Sequence, residues 1–162
     1  MDLRTASETD VHGFIECYLE VWRSLRGILP DEYVDGQIER ASGTAFKDGI
    51  SSKMSDPDSI ILVAEEGTET VGIAWGNLKE DGSAWLVFMG VSRGYRRRGI
   101  GRSLLTRFIE ESRGRGSLKV SLDTDPRLVP AVELYLGMGF TSEGIVKNPY
   151  GLELVVYCKD IS

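Results

Sequence analysis

An arginine- and glycine-rich turn at residues 93–102 contains the residue types that bind a diphosphate. An apolar run ends at Val91, the turn follows, and Gly99 and Gly101 open a helical pattern. The first N–H groups of a helix lack internal partners and lie at the positive end of its dipole, so they bind anions. Because glycine has no Cβ, a bulky anion can approach the main chain closely. We therefore predict a diphosphate site on the amides of about residues 97–102.

Basic side chains surround this turn. Arginine matches the geometry of phosphate, and its charge persists at any physiological pH. The residues concerned are Arg96, Arg97, Arg98 and Arg102. We expect these side chains to contact the anion together with the backbone of Ile100 and the two glycines.

Charge is distributed unevenly along the 162 residues. Residues 93–119 carry nine basic and two acidic side chains, whereas the whole chain has a net charge of −6. A basic segment in an acidic protein indicates one anionic ligand bound locally. Nucleic acid binding needs a broader basic face, so we expect no nucleic acid partner. The acidic remainder is compatible with a cationic substrate such as an amine.

The same turn carries a family resemblance. Arg96-x-x-Gly99-x-Gly101 is similar to the Arg/Gln-x-x-Gly-x-Gly/Ala signature of the GNAT superfamily, the Gcn5-related N-acetyltransferases. The preceding Val91 and the turn between it and the arginines also resemble that family.

A second segment resembles the same family. Ala131-x-x-Leu134-Tyr135-x-x-x-Gly139-Phe140 is similar to its Asn-x-x-Ala-x-x-Leu-Tyr-x-x-x-Gly-Phe segment. The two motifs occur in the family's order and at about its spacing. The resemblance covers residues 60–158 well and the first 55 loosely. It implies an N-acetyltransferase that uses acetyl-CoA as cosubstrate.

Hydrophobic periodicity divides residues 1–162, which we expect to form one domain, into strands and helices. The predicted strands are 3–6, 59–65, 70–78, 84–91, 118–122, 140–146 and 152–159. The first predicted helix contains Val11 to Leu25 and is capped by Ser7 or Thr9, and the second passes through Tyr33 and Ala41 and is capped by Asp31. A short helical turn at Phe46 and Ile50 follows. The last two helices are predicted from Ile100 to Gly114 and over 129–136.

This order of elements predicts an α/β fold with a mixed sheet and helices on both faces. It resembles the GNAT acyl-CoA N-acyltransferase fold. In that fold the central strand and its parallel neighbour splay apart, and the gap admits the pantetheine arm of the coenzyme. The central strand here is the almost wholly apolar run at 84–91.

The resemblance also assigns roles in acetyl transfer. The backbone of Met89 and Val91 would pair with pantetheine as another strand does, and an N–H near Met89 would polarise the thioester carbonyl. Tyr135 matches the tyrosine that protonates the departing thiolate. A phenol has an ordinary pKa of about 10 and is a proton donor at neutral pH.

The sequence leaves the identity of the general base open. Trp85 occupies the position at which several family members carry a glutamate, so this chain uses another group, or water, or no base. Candidate carboxylates are Glu32, Glu80, Asp81, Asp123 and Asp125, each of which can equally be a solvated surface charge. His12 fits a helix surface better than a catalytic site. Leu128 replaces a frequent asparagine, which we expect to weaken coenzyme binding without abolishing it.

The acceptor is not readable from the sequence. By resemblance, residues 7–55 form the acceptor wall, where Tyr18, Trp22 and Tyr33 could lie, although core packing also explains them. A peptide N-terminus, a lysine side chain, a polyamine and a small amine all remain open. Oligomeric state is open as well; many members of the resembled family are dimers, so a homodimer is one option.

Rival site classes fit less well. A dinucleotide fingerprint would require glycine where Leu104 stands, and the chain has no Gly-Lys-Ser/Thr of a P-loop. A Ser/His/Asp hydrolase is not supported by His12 alone. A rival from another class is a GNAT-fold module that binds acetyl-CoA without transferring it. A buried, core-facing Tyr135 would favour that module.

Composition limits the partners, the metals and the cellular compartment that we expect for this chain. The chain has no run of eighteen apolar residues and no apolar leader after Met1, so we expect no membrane partner. One histidine and two distant cysteines do not match a zinc site or a disulfide framework, so we expect no metal. These features favour a reducing cytoplasm.

Overall fold

The computed structural model describes residues 1–162 and contains a seven-stranded mixed sheet with helices on both faces. The strands are β1 (Asp2–Thr5), β2 (Ser59–Glu66), β3 (Glu69–Leu78), β4 (Ser83–Val91), β5 (Lys119–Thr124), β6 (Thr141–Lys147) and β7 (Glu153–Asp160). The helices are α1 (Val11–Arg23), α2 (Asp31–Ala41), α3 (Thr44–Met54), α4 (Ile100–Gly114) and α5 (Val129–Gly137). The predicted fold class is confirmed.

The sheet order is β1-β2-β3-β4-β5-β7-β6. Only β4 and β5 are parallel neighbours, as predicted, and every other adjacent pair is antiparallel. The helix α4 makes the crossover that a parallel pair requires. The predicted strand bounds differ from the observed ones by no more than two residues at either end. None of the helices is both long and apolar enough to cross a membrane.

Two hydrophobic layers cover the sheet. On one face α4 and α5 pack against the strands through a cluster centred on Leu104, Leu105 and Phe108. On the other face α1, α2 and α3 pack through a cluster centred on Phe14 and Val34. Apolar side chains recur on one side of each of these helices because the helical period directs residues three or four apart to the same face.

Two local predictions were wrong. The short turn at Phe46 and Ile50 is an eleven-residue helix, α3, because both side chains and Met54 lie on its sheet-facing side. The α2 helix begins at Asp31 rather than after it, and the Asp31 carboxylate instead accepts the N–H of Gly27. Neither change alters the order of the strands.

The strand β4 changes direction at a β-bulge. Trp75 on β3 pairs with Phe88, and the next residue pairs with Leu86, so Val87 has no partner. Leu86 packs on the α4 face, whereas Phe88 packs against Tyr18 of α1 on the opposite face. A bulge bends a strand and increases its local twist. The two halves of β4 therefore run in different directions.

The strand pair β4–β5 comes apart at this bulge. Ser83 to Leu86 pair with Lys119 to Leu122, and no pairing continues beyond Leu122. The gap between residues 87–91 of β4 and the end of β5 is called the split below. It corresponds to the splayed pair that the family resemblance predicted.

Close packing of α4 on the sheet generates a stability prediction. A Cβ at Gly76 would clash with the buried Phe108 ring and with the Trp85 carbonyl. We expect Gly76→Ala to lower the free energy of unfolding by about 1–3 kcal/mol, as overpacking does. Gly36 is the matched control, because it is an exposed position of α2 with open space around it. We expect Gly36→Ala to raise the free energy of unfolding by about 0.5–1 kcal/mol. Urea denaturation measures both; equal shifts would contradict this packing.

Candidate active site

Six consecutive backbone N–H groups between β4 and α4 have no hydrogen-bond partner. They belong to residues 97–102, called the amide turn below; the first N–H bonded back into the helix is that of Ser103, to Gly99 O at 3.0 Å. Arg97 (φ 64°) and Gly99 (φ 79°) both have left-handed backbones, which curve successive N–H groups into a concave surface. Such a surface binds an anion, and a non-glycine residue with a left-handed backbone, as at Arg97 where the turn begins, is typical of a functional turn.

Unpaired arginines surround the amide turn. Arg97, Arg98 and Arg102 are exposed and form no salt bridge or hydrogen bond with the rest of the chain. The guanidinium of Arg98 lies 5.0 Å from the centre of the Tyr95 ring. Unpaired cations beside unpaired amides produce a local positive potential, which fits the predicted diphosphate site.

The side chain of Arg96 is used within the protein. Its Nε donates to Val91 O at 2.9 Å and its Nη2 donates to Ser24 Oγ at 2.8 Å. Arg93 likewise donates from Nη2 to Ser24 O at 3.3 Å. These bonds attach the turn to the ends of α1 and β4. Arg96 therefore positions the amide turn, and sequence reasoning missed the part played by Ser24.

The free edge of β4 faces the split. Ser92 donates its N–H to Val71 O on β3 at 2.8 Å, and alternate residues of a strand direct their backbone groups to the same neighbour. Met89 and Val91 therefore direct theirs to the opposite edge, from which β5 has diverged. These are the two residues expected to pair with pantetheine.

Gly101 lies where the amide turn meets the split. A Cβ built on it would be 3.6 Å from Leu134 of α5 and 3.8 Å from Val91 of β4. A longer side chain would extend into the space between these two elements. The neighbouring Ile100 side chain is buried in the core, so Ile100 offers the site only its backbone N–H.

Tyr135 is 6% exposed and lies in the buried α4–α5 cluster. Its ring lies 5.9 Å from that of Phe140 and 6.3 Å from that of Tyr157. Its hydroxyl makes no hydrogen bond within the protein. Burial, with a smaller contribution from the charge of Asp123, raises the pKa of Tyr135 to about 12. The phenol is therefore protonated at neutral pH.

Trp85 and Leu128 occupy positions at which the resembled family has polar groups. Trp85 lies where β4 and β5 are still paired and lines an open groove of about 310 Å³ on the sheet surface. Leu128 precedes α5 and packs against the α1–α3 cluster. The Asp125 carboxylate, rather than an asparagine, organises the start of α5 by accepting the N–H of Arg127 at 2.9 Å.

The structure distinguishes Asp123 from the other four candidate carboxylates. Asp125 is paired with the Arg127 guanidinium at 2.7 Å, which holds its pKa below the usual range. Asp81 accepts the Ser83 hydroxyl at 2.6 Å and lies with Glu80 at the start of β4, the opposite end from the split. Asp123 is the residue directly after the last β4–β5 pair, and unlike Asp125 it has no arginine partner. Glu32 is exposed in the first turn of α2, and His12 is exposed near the start of α1.

Aromatic rings extend outward from the split on its α1–α3 side. Phe88, just past the bulge, lies 6.0 Å from Trp22, which is 5.7 Å from Tyr33. Tyr33 contacts Tyr150 of the β6–β7 loop at 5.3 Å. We call Phe88, Trp22, Tyr33 and Tyr150 the aromatic wall. Tyr18, the other predicted acceptor residue, is buried beneath it and packs on Phe88.

The chain belongs to the Acetyltransferase (GNAT) family, whose sequence profile matches residues 14–140. The family resemblance carried by the two motifs is thereby confirmed. The match extends from the first helix through the amide turn to Phe140, just past α5.

Individual relatives are more distant. The chain is 33% identical over 112 residues to N-acetyltransferase 8B from Rattus norvegicus, covering 66% of this chain and 50% of that protein. It is 33% identical over 84 residues to mycothiol acetyltransferase from Corynebacterium glutamicum, covering 52% and 29%. The chain thus aligns with half or less of the length of these relatives.

A solved structure has the same fold throughout. PaiA N-acetyltransferase from Thermoplasma acidophilum, in complex with coenzyme A, aligns with a TM-score of 0.83 over 98% of both chains. The sequences are 21% identical, so this likeness is one of fold.

The position of Gly101 generates a binding prediction. We expect Gly101→Leu to fill the space between Val91 and Leu134 and to weaken coenzyme A binding at least about tenfold, equivalent to about 1.4 kcal/mol. Thermal stability should change little, because a Cβ at this position makes only ordinary van der Waals contacts. Calorimetric titration with coenzyme A measures the affinity. Gly94→Leu, at an open position of the preceding turn, is the matched control. Unchanged affinity in Gly101→Leu would remove the amide turn and split from the binding site.

Proposed function

We propose that this chain transfers an acetyl group from acetyl-CoA to a primary amine by direct attack in a ternary complex. The observation that carries the proposal is the run of six unpartnered amides at residues 97–102, which leads directly into the split. Membership of an acetyltransferase family and the coenzyme A complex of the PaiA relative support it.

The coenzyme would be held mainly by backbone groups. The amide turn receives the diphosphate, and Arg97, Arg98 and Arg102 add positive charge around it. The pantetheine arm lies along the free edge of β4 and pairs with Met89 and Val91. An N–H near Met89 then polarises the thioester carbonyl, because a fixed donor stabilises the negative charge that develops on the oxygen.

The reaction needs a proton at the leaving sulfur. The amine nitrogen attacks the carbonyl carbon, a C–N bond forms, and the C–S bond breaks. We assign Tyr135 as the donor that protonates the thiolate. Its pKa of about 12 keeps the phenol protonated at neutral pH, as a proton donor requires.

The acceptor is a primary amine whose remaining structure is open. N-acetyltransferase 8B and PaiA N-acetyltransferase are both named for transfer to nitrogen. A peptide N-terminus, a lysine side chain, a polyamine and a small amine remain the candidates. The aromatic wall provides an apolar surface for the part of the acceptor next to its amino group.

Activity is tested by the release of free thiol. The full chain with acetyl-CoA should release coenzyme A faster when phenethylamine, spermidine or a peptide beginning with alanine is added. Mass spectrometry should show the acetylated amine. Saturable coenzyme A binding without transfer to any of these amines would support the binding module instead.

The role of Tyr135 has its own test. We expect Tyr135→Phe to lower kcat about 10²-fold or more, because it removes the proton donor while keeping the packing of the ring. The affinity for coenzyme A should stay the same. Tyr157→Phe, which changes a neighbouring phenol in the same cluster, is the matched control. Full turnover in Tyr135→Phe would assign the proton to water or another group.

A further inference from the structure

Asp123 lies at the point where β5 leaves β4. The last residues to pair are Leu86 and Leu122, and Asp123 is next along β5, bonded only to β7 through its pairing with Val156. Leu122 faces the α4–α5 cluster. Because side chains alternate along a strand, Asp123 projects to the opposite face, the side of the aromatic wall.

The Asp123 carboxylate has no partner within the protein. It forms no hydrogen bond and no salt bridge, unlike Asp81, bonded by Ser83, and Asp125, bonded by Arg127. Its side chain is exposed at the split, yet the protein around it desolvates the carboxylate and raises its pKa. An unpaired carboxylate in this setting is free to accept a proton.

The groups that face Asp123 are phenols rather than cations. Burial is the main cause of the raised pKa of Tyr135, on α5, and of Tyr33, on α2, and the charge of Asp123 adds a smaller contribution to both. Tyr150 of the β6–β7 loop stands beyond Tyr33. No lysine or arginine neutralises the carboxylate. The charge of the Asp123 carboxylate is therefore not neutralised by a neighbouring side chain.

We propose that Asp123 binds the ammonium group of the acceptor and acts as the general base of the transfer, a role that rests on the proposed function. A carboxylate beside aromatic rings is a favourable site for an ammonium ion. The residue replaces the glutamate that is absent at Trp85. It approaches the split from β5 instead of β4, on the face from which the acceptor enters.

The proton transfers balance. The bound ammonium first loses one proton to solvent, and the neutral nitrogen then attacks the thioester carbon. The second proton, made acidic by the new C–N bond, moves to the Asp123 carboxylate. The C–S bond breaks, and the sulfur takes the Tyr135 proton. Asp123 then releases its proton to solvent, Tyr135 regains one from solvent, and the products are the amide and free coenzyme A.

The test compares the pH dependence of kcat in Asp123→Asn and in the unaltered chain. We expect Asp123→Asn to lower kcat about 10²–10³-fold on whichever of phenethylamine, spermidine and the alanine peptide the unaltered chain acetylates fastest. In the unaltered chain, kcat should fall in acid both because the bound ammonium keeps its proton and because Asp123, whose pKa is raised, becomes protonated. The limb that Asp123 contributes should be absent in Asp123→Asn, in which only the ammonium limb remains. Glu39→Gln, an exposed carboxylate of α2 without a partner, is the matched control.

Measuring the affinity for coenzyme A distinguishes a failure of this proposal from a failure of the proposed function. Asp123→Asn should bind coenzyme A as the unaltered chain does, because Asp123 lies on the acceptor side of the split. If the unaltered chain acetylates an amine and Asp123→Asn retains its rate and pH profile, Asp123 is not the base although the function stands. Loss of the acid limb in Glu32→Gln would assign the proton to α2 and overturn the proposal. Absence of transfer by the unaltered chain would overturn both.

Discussion

The structure depends on a parallel strand pair that ends after four residue pairs. Buried backbone N–H and C=O groups are almost always hydrogen-bonded, so an interrupted ladder inside a sheet needs another partner. The bulge at Val87 turns β4 away from β5 and leaves the edge at Met89 and Val91 without a strand partner, although the Val91 carbonyl accepts the Arg96 Nε. A ligand with amide groups of its own, such as pantetheine, can complete that edge as a short extra strand. The bound coenzyme would thus replace the missing part of the ladder.

Electrostatics favour one end of this split for the charged part of the proposed ligand. The unpartnered amide turn and three unpaired arginines lie at the start of α4, in a chain whose net charge is −6. Arg96 does not add to this free charge, because Val91 O and Ser24 hold its guanidinium. The two kinds of arginine therefore have different roles: Arg96 holds the shape of the turn, and in the proposed site the unpaired arginines attract the anion.

Proton chemistry is divided between the two faces of the sheet. Tyr135 approaches from the α4–α5 face, where burial raises its pKa and keeps it a donor. Asp123 approaches from the α1–α3 face with a raised pKa and no partner. The split is the place where groups from opposite faces can act on one reacting centre. In the proposed mechanism this arrangement keeps the acid next to the sulfur and the base next to the amine.

Much of this fold could be predicted from the sequence. The apolar run of β4, the turn signals between the strands and the helical pattern after Gly101 fixed the order of elements and the position of the amide turn. The bulge could not be predicted, because the almost wholly apolar run at 84–91 shows no alternation that would break at Val87. The helix α3 was underestimated, although Phe46, Ile50 and Met54 recur at intervals of four residues. Their signal is weakened by intervening glycine and serines.

The candidate site was predictable in part. The diphosphate site follows from glycines and arginines close together in sequence, and its assignment stays a prediction. Asp123 could not be distinguished from Asp125 in the sequence, because the difference lies in the Arg127 pair and in where β5 leaves β4. The bonds from Arg93 and Arg96 to Ser24 join residues about seventy positions apart, which no local pattern reveals.

Amide hydrogen exchange with and without saturating coenzyme A tests the central claim most directly. The claim is that the coenzyme binds to backbone groups of the split and the amide turn. We predict slower exchange on binding in residues 87–91 and 97–102, with α3 and the β6 edge unchanged. Protection confined to other segments, or no change in these two while coenzyme A is bound, would contradict it.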